Sequence, residues 1–307
     1  MKVMLTFDVE DFINDGVVEA LTKIINLLEE NEVRAIFFIT GHFTEKLAGF
    51  PNLTDLLKHH EIGYHSSAHS VRPAIFEYCD TEDYAQAFEL SLRRETSHIN
   101  PLTGNIEGTG GLTTLQHLFP KKQIMSFRAP GLCWSPAHLE ALATLGIKYD
   151  FSAFLNSEPI SYKEMTFYPP AQFFNPQYQL TTKLGHYLFS KIKLAVLTFH
   201  TCGFVNEKPW DSIYHNGNPK KLLTVGQLSD KQKEMRLKEF EKLLGNIRLL
   251  RKMGLKVISN PEKSDIELNP NFEVIKRCYQ QSIEWPTKFF GYKPHFLYNQ
   301  FAWYFNL

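Results

Sequence analysis

The stretch Val33-Arg34-Ala35-Ile36-Phe37-Phe38-Ile39-Thr40 is a continuous apolar run, the pattern of a strand buried on both faces. Such a strand needs helices on either side of its sheet, and the flanks supply them. Ahead of it, Gly16 to Asn31 carries Val17, Leu21, Ile24, Ile25 and Leu28 at helical spacing; behind it, helix-like Leu53 to His60 leads into strand-like Ile62-Gly63-Tyr64. The alternation continues. Asp80 to Ile99 reads as a long helix capped by Asp80 or Thr81, and Ile124 to Phe127 as a strand. Ser135-Pro136 opens a helix through Leu145, with proline in the first turn, and Ile147 to Tyr149 returns as strand. Leu194 to Phe199, a helix over Ser229 to Met253 and a last strand over Leu255 to Ile258 complete a repeating βα pattern. A parallel sheet, open or closed into a (β/α) barrel, is implied.

With 307 residues and 43% hydrophobic content the chain can bury a large core. Lys plus Arg equals Asp plus Glu at 33 each, which removes a global electrostatic argument for nucleic acid or an anionic membrane. No apolar run is long enough to span a bilayer and no secretion signal precedes Val3, so a cytoplasmic protein is expected. Cys79, Cys133, Cys202 and Cys278 show no Cys-x-x-Cys spacing, and reduced thiols are the default.

Reactive side chains gather where strands end. Asp8 and Glu10 follow the first strand, His65 the third, Arg128 the fourth, Asp150 the fifth, and His200 the strand Leu194 to Phe199. In parallel α/β proteins these carboxyl ends share one face, so distant residues converge into one pocket. His65-Ser66-Ser67-Ala68-His69 adds two imidazoles four apart, which on a helical turn reach one divalent ion. Each residue alone has a plainer reading: a cap for Asp8, a surface pair for Arg128, a strand end for Asp150, a core histidine for His200. Together they favour one site.

These residues also carry a family resemblance. Thr6-Phe7-Asp8-Val9-Glu10-Asp11, His65 to His69, Phe127-Arg128-Ala129-Pro130-Gly131, Tyr149-Asp150-Phe151-Ser152 and Leu197-Thr198-Phe199-His200 resemble, in order, the motifs of the polysaccharide deacetylases of carbohydrate esterase family 4. The resemblance runs from Val3 to about Asn260, with two departures. The first motif reads Asp-Val-Glu-Asp, as in a DVED-type branch, and the third lacks the Tyr that usually precedes Gly. It implies a distorted (β/α) barrel over residues 1–264, followed by an aromatic-rich C-terminal extension over 265–307. It further implies hydrolysis of the N-acetyl amide of an amino sugar, in a polysaccharide or in its nucleotide- or lipid-linked precursor.

The roles implied follow the residue types. His65, His69 and one carboxylate would hold a divalent ion, zinc suiting the nitrogen and oxygen donors. Asp8 would be the general base, oriented by Arg128; the backbone N–H near Gly131, beside Pro130, would hold the oxyanion. His200 would protonate the departing amine, with Asp150 tuning that imidazole by analogy with the family. Alternation along an extended Met4 to Glu10 puts Thr6, Asp8 and Glu10 on one face, which favours Glu10 over Asp11 as third ligand. A break after Asp8 would reverse that choice. Two other readings stay open: a hydrolase of another C–N bond, such as a formamide or cyclic ureide, and a non-catalytic carbohydrate-binding scaffold.

Elsewhere the plainer readings prevail. His59 and His60 close a polar helix end and read as surface capping, and His42 follows the second strand, within reach of substrate. Asn52-Leu53-Thr54 is a sequon that needs secretion to matter, Lys220-Lys221 an ordinary solvated pair, and Gly108-Thr109-Gly110-Gly111 a flexible surface loop. The tail carries Trp285, Phe289, Phe290, Tyr292, Phe296, Tyr298, Phe301, Trp303, Tyr304 and Phe305. It reads as an extension packed on the barrel, a subunit contact, a peripheral membrane anchor or a sugar platform.

Overall fold

The computed structural model describes residues 2–67, 69, 75–97, 100, 103, 105, 107–153, 159–169, 172–173, 193–208, 226–261, 280–284 and 293–306. In chain order the elements are β1 (Lys2–Val9), α1 (Gly16–Glu30), β2 (Ile36–Ile39), α2 (Gly41–Leu47), α3 (Pro51–Leu57), β3 (Glu61–Tyr64), α4 (Ile75–Cys79), α5 (Tyr84–Thr96), α6 (Gly111–Leu118) and β4 (Ser126–Phe127). There follow α7 (Pro136–Thr144), β5 (Tyr149–Asp150), β6 (Ile160–Tyr162), β7 (Met165–Phe167), β8 (Gln172–Phe173), β9 (Leu194–His200), α8 (Asp230–Lys252), β10 (Lys256–Val257) and α9 (Leu297–Tyr304).

All these strands form one curled sheet in the order β6-β7-β5-β4-β3-β2-β1-β9-β8, with β10 paired to the start of β1. Neighbours run parallel except in the β6–β7 hairpin. The sheet is a distorted, incomplete barrel: among the described residues no pairing joins β6 to β8. Alternation sorts its side chains. Val3, Leu5, Phe7 and Val9 of β1 enter the core under the helices, with Phe37, Tyr64, Phe127 and Phe199. Met4 enters a smaller cluster inside the curl, with Ile36, Phe38, Phe151, Tyr168 and Val196.

Helix ends explain several boundaries. Asp83 accepts the Ala85 and Gln86 N–H groups, so α5 starts there and not at Asp80 or Thr81. Asp80 instead accepts the N–H groups of His295, Phe296 and Leu297, tethering the start of α9. Phe301 of α9 packs 4.7 Å from Trp134 and Tyr304 lies 5.5 Å from Tyr162, so this part of the tail covers the barrel. Tyr298 and Trp303 stay exposed. Trp285, Phe289, Phe290, Tyr292 and the expected boundary at 264/265 lie outside the described residues.

Two expectations are corrected here. Gly110 and Gly111 are no flexible surface loop: Gly110 caps α6, and a Cβ on it would stand 2.2 Å from the Glu95 carbonyl oxygen. His60 is no surface cap. It is buried, its Nδ1 accepts the Ala35 N–H at 3.3 Å, and burial brings its pKa down to about 3, so it stays neutral. No helix among the described residues is long and apolar enough to cross a membrane.

Candidate active site

In-register pairing places Asp8 beside Phe38 on one side and His200 on the other, all at the carboxyl ends of their strands. Thr6 and Thr198, two residues earlier on the same face, hydrogen-bond each other at 2.9 Å. Gly63 of β3 makes room for what comes next: a Cβ there would lie 2.5 Å from the Phe38 ring. On that ring rests the Arg128 guanidinium, 4.4 Å from its centroid. Arg128 donates from Nη1 to Asp8 Oδ1 at 2.7 Å, from Nη2 to Thr6 Oγ1 at 3.0 Å and from Nε to the Phe151 carbonyl at 3.4 Å. Both side chains are buried, and three hydrogen bonds from the guanidinium offset that burial. Asp8 Oδ2 faces His200 Nε2 at 3.5 Å, and His200 is the partly exposed member, its side chain 30% accessible. Substrate therefore has an approach over His200.

Glu10, one step beyond β1 on the face of Asp8, meets the histidine pair. His65 Nε2 lies 3.4 Å and His69 Nε2 3.0 Å from Glu10 Oε2. The pair does not sit on a helical turn, as its spacing suggests. Ser66 takes a left-handed φ of 64° just after β3, and this turn brings the two rings to 4.8 Å between centroids. The Cys202 thiol donates to Glu10 Oε1 at 3.3 Å. Burial opposes the Glu10 charge, but nearby charge on His69 and then His200 outweighs it, and the carboxyl is held well below its usual range.

Whether this set suits a cation is testable on its own atoms. His65 Nδ1 lies 2.7 Å from the Arg128 carbonyl, which can only accept, so Nδ1 carries a hydrogen; the neutral tautomer that this contact selects turns an Nε2 lone pair toward Glu10. That Nε2 and Glu10 Oε2 are both buried without a hydrogen-bond partner. Two acceptors facing each other at 3.4 Å ask for a shared cation. Donor atoms of Glu10, His65 and His69 all lie within 4.8 Å of one another, a nitrogen and oxygen set that fits zinc. A second grouping, Asp8, Glu10 and His200, shares the Glu10 carboxylate.

Asp11 points elsewhere. Its carboxylate accepts from Ile13 N–H, Asn14 N–H, Asn14 Nδ2 and Asn206 Nδ2, closing the turn after β1, and burial raises its pKa. Asp150 is likewise not brought to His200. It pairs in register with Phe127, on the helix-facing side, and accepts from Ser152 Oγ and N and from Ala153 N. Ser152 Oγ in turn accepts the Ala129 N–H, so Asp150 braces the Arg128–Gly131 loop. Pro130 and Gly131 are half-buried in a 3-10 turn whose φ of 56° at Gly131 favours glycine. His42 is buried at the start of α2 and reaches Glu45 at 3.4 Å. Cys202 and Asn206 carry no sequence signal for the site, whereas alternation along β1 already places Thr6 on the face of Asp8 and Ser152 closes the motif that holds Asp150.

The class defined by fold and site is an α/β half-barrel with a two-histidine, one-carboxylate centre at its strand ends. Residues 1–149 match the family model described as polysaccharide deacetylase, just under half of the chain. The matched stretch includes Asp8, Glu10, His65, His69 and Arg128 and stops before Asp150 and His200. No curated protein matches the chain. Among solved structures it is similar to a family 4 carbohydrate esterase of Bacillus anthracis, at 16% identity over 86% of this chain and 83% of that one, TM-score 0.41. A family 4 carbohydrate esterase of Bacillus subtilis matches at 14% over 83% and 77%, TM-score 0.41. A 4-alpha-glucanotransferase of Thermococcus litoralis matches at 12% over 99% of this chain, TM-score 0.52; the chain spans 50% of its length, and the likeness concerns the fold alone.

Proposed function

We propose that the chain is a metal-dependent deacetylase of the polysaccharide deacetylase family. It removes the N-acetyl group of an amino sugar in a polysaccharide or in a nucleotide- or lipid-linked precursor, in surface polysaccharide biosynthesis. The observation that carries this reading is the convergence of Glu10 Oε2, His65 Nε2 and His69 Nε2, all buried, beside a buried Asp8–Arg128 pair and His200. Glu10, His65 and His69 would hold the ion. When bound, a divalent cation supplies a Lewis acid for the amide carbonyl and makes water more acidic.

The chain's own groups do the rest. Arg128 occupies Asp8 Oδ1, leaving Oδ2 to take a proton from water as its oxygen adds to the acetyl carbon. The Gly131 backbone N–H stabilises the oxyanion that forms, in a loop braced by Asp150 through Ser152. His200, open to solvent, gives a proton to the amide nitrogen as the C–N bond breaks, releasing acetate and the free amine.

The test is acetate release from a panel of N-acetyl oligosaccharides and sugar nucleotides with zinc-loaded protein. Turnover is expected in the wild type, with a loss of at least roughly 100-fold in Asp8→Asn at unchanged metal content. Hydrolysis of a formamide or cyclic ureide in place of every acetyl sugar moves the assignment to another C–N bond. Equal sugar binding by wild type and Asp8→Asn with no turnover by either supports a scaffold instead.

A further inference from the structure

The turn that delivers His65 and His69 is tied into a second buried polar cluster. Tyr64, immediately before His65, donates from its hydroxyl to Glu95 Oε2 on α5 and lies 3.1 Å from Ser67 Oγ. Ser67 stands between the two imidazoles in sequence, and its Oγ accepts the N–H of Gly111, the first residue of α6, at 3.0 Å. His138 Nε2 of α7 is 2.5 Å from Glu95 Oε1. Tyr64, Ser67, Glu95 and His138 are all buried.

Counting hydrogens gives this chain one direction. Tyr64 donates to one Glu95 oxygen, and the Nε2–H tautomer of His138 donates to the other. With the Tyr64 hydrogen committed, its oxygen accepts from the Ser67 hydroxyl, and Ser67 oxygen accepts from Gly111. Each link from Gly111 to Glu95 is made, and His138 Nδ1, beyond Glu95, is buried without a hydrogen-bond partner. The backbone is clamped at the same place. Gly41 and His42 donate their N–H groups to the Ser66 and Ser67 carbonyls at 3.0 Å each. A Cβ on Gly111 would stand 2.6 Å from Ser67 Cα, so α6 closes directly onto the turn.

We infer that Glu95 is a positioning residue for the two imidazoles: through Tyr64 and Ser67 it sets the turn that aims His65 and His69 at Glu10. Left-handed Ser66 needs such over-determination, because a non-glycine residue there is held by its surroundings and not by its own preference. Nothing in the chemistry assigned to Asp8, Arg128 and His200 uses Glu95. The inference rests on the metal reading above.

The test uses full-length protein: zinc affinity by chelator competition, the visible spectrum after cobalt substitution, and the melting temperature of the metal-free protein. Glu95→Gln places an amide N–H against a donor, and Ser67→Ala removes the link to the turn. Both are expected to weaken zinc binding about 10- to 100-fold and to change the cobalt spectrum. Should Glu95→Gln fail to fold, Ser67→Ala and Tyr64→Phe decide. Variants that melt lower yet bind zinc like the wild type, with its cobalt spectrum, overturn the inference and leave Glu95 a purely structural group. A wild type that binds no zinc overturns the metal reading itself, a different and distinguishable failure.

Discussion

Two buried polar clusters meet where Tyr64 joins His65, and they are completed in opposite ways. Around Glu95, Tyr64 and Ser67 hand their hydrogens along one line and each finds an acceptor. Around Glu10, one carboxylate oxygen and one imidazole nitrogen are buried, adjacent and without a hydrogen-bond partner. A buried polar atom left unpaired costs about 1–3 kcal/mol. The line from Gly111 to Glu95 is closed by the protein's own hydrogens and leaves His138 Nδ1 as its unpaired atom, whereas around Glu10 the unpaired atoms face each other, the arrangement a shared ligand would complete; burial alone would not have told the two apart.

The contrast can be broken by adding metal. At a thousandfold excess over its Kd, zinc should raise the unfolding free energy of the wild type by about 4 kcal/mol and that of His65→Ala not at all. The metal-free His138→Ala variant, in which Glu95 Oε1 loses its donor, should fall about 1–3 kcal/mol below the wild type. Thermal unfolding with and without zinc reads both. Equal zinc stabilisation in His65→Ala would erase the distinction between the clusters.

A pH-dependent effect comes from two titratable groups outside both clusters. Burial raises the Asp150 pKa from 3.8 to about 6, so the folded chain binds more protons than the unfolded one in that window. Stability from this group is lost as pH rises through it, by roughly 3 kcal/mol in all. His60 has the opposite sign. Lowered from 6.5 to about 3, it makes the unfolded state bind more protons there, and stability is lost as pH falls. Denaturant titrations from pH 4 to 7 should therefore show Asp150→Asn gaining on the wild type as pH rises. His60→Gln should gain as pH falls. Curves for either variant parallel to the wild type would contradict its assignment.

Much of the site was legible because β1 is long and regular. Eight residues of strict alternation put Asp8 inside and carried Glu10 to the same face, and parallel pairing brought His200 beside them. Asp150 was misjudged where the strand is short: β5 has two residues, and one step of register moves a side chain from the pocket to the helix side. The N-terminus of α5 hinged on two acids three residues apart, Asp80 and Asp83, each able to cap a helix; tertiary contact with α9 claimed Asp80. Glu95 left no trace in the sequence. It lies near the end of an amphipathic helix, where a glutamate normally faces water, and its partners come from β3 and α7.

The central claim is that Glu10, His65 and His69 hold one divalent ion while Asp11, equally acidic and next in sequence, only closes a turn. Elemental analysis of purified wild type, Glu10→Ala and Asp11→Ala tests it most directly. The account predicts about one zinc per chain in the wild type and in Asp11→Ala, and little in Glu10→Ala. Equal metal in all three proteins, or loss in Asp11→Ala alone, would contradict it.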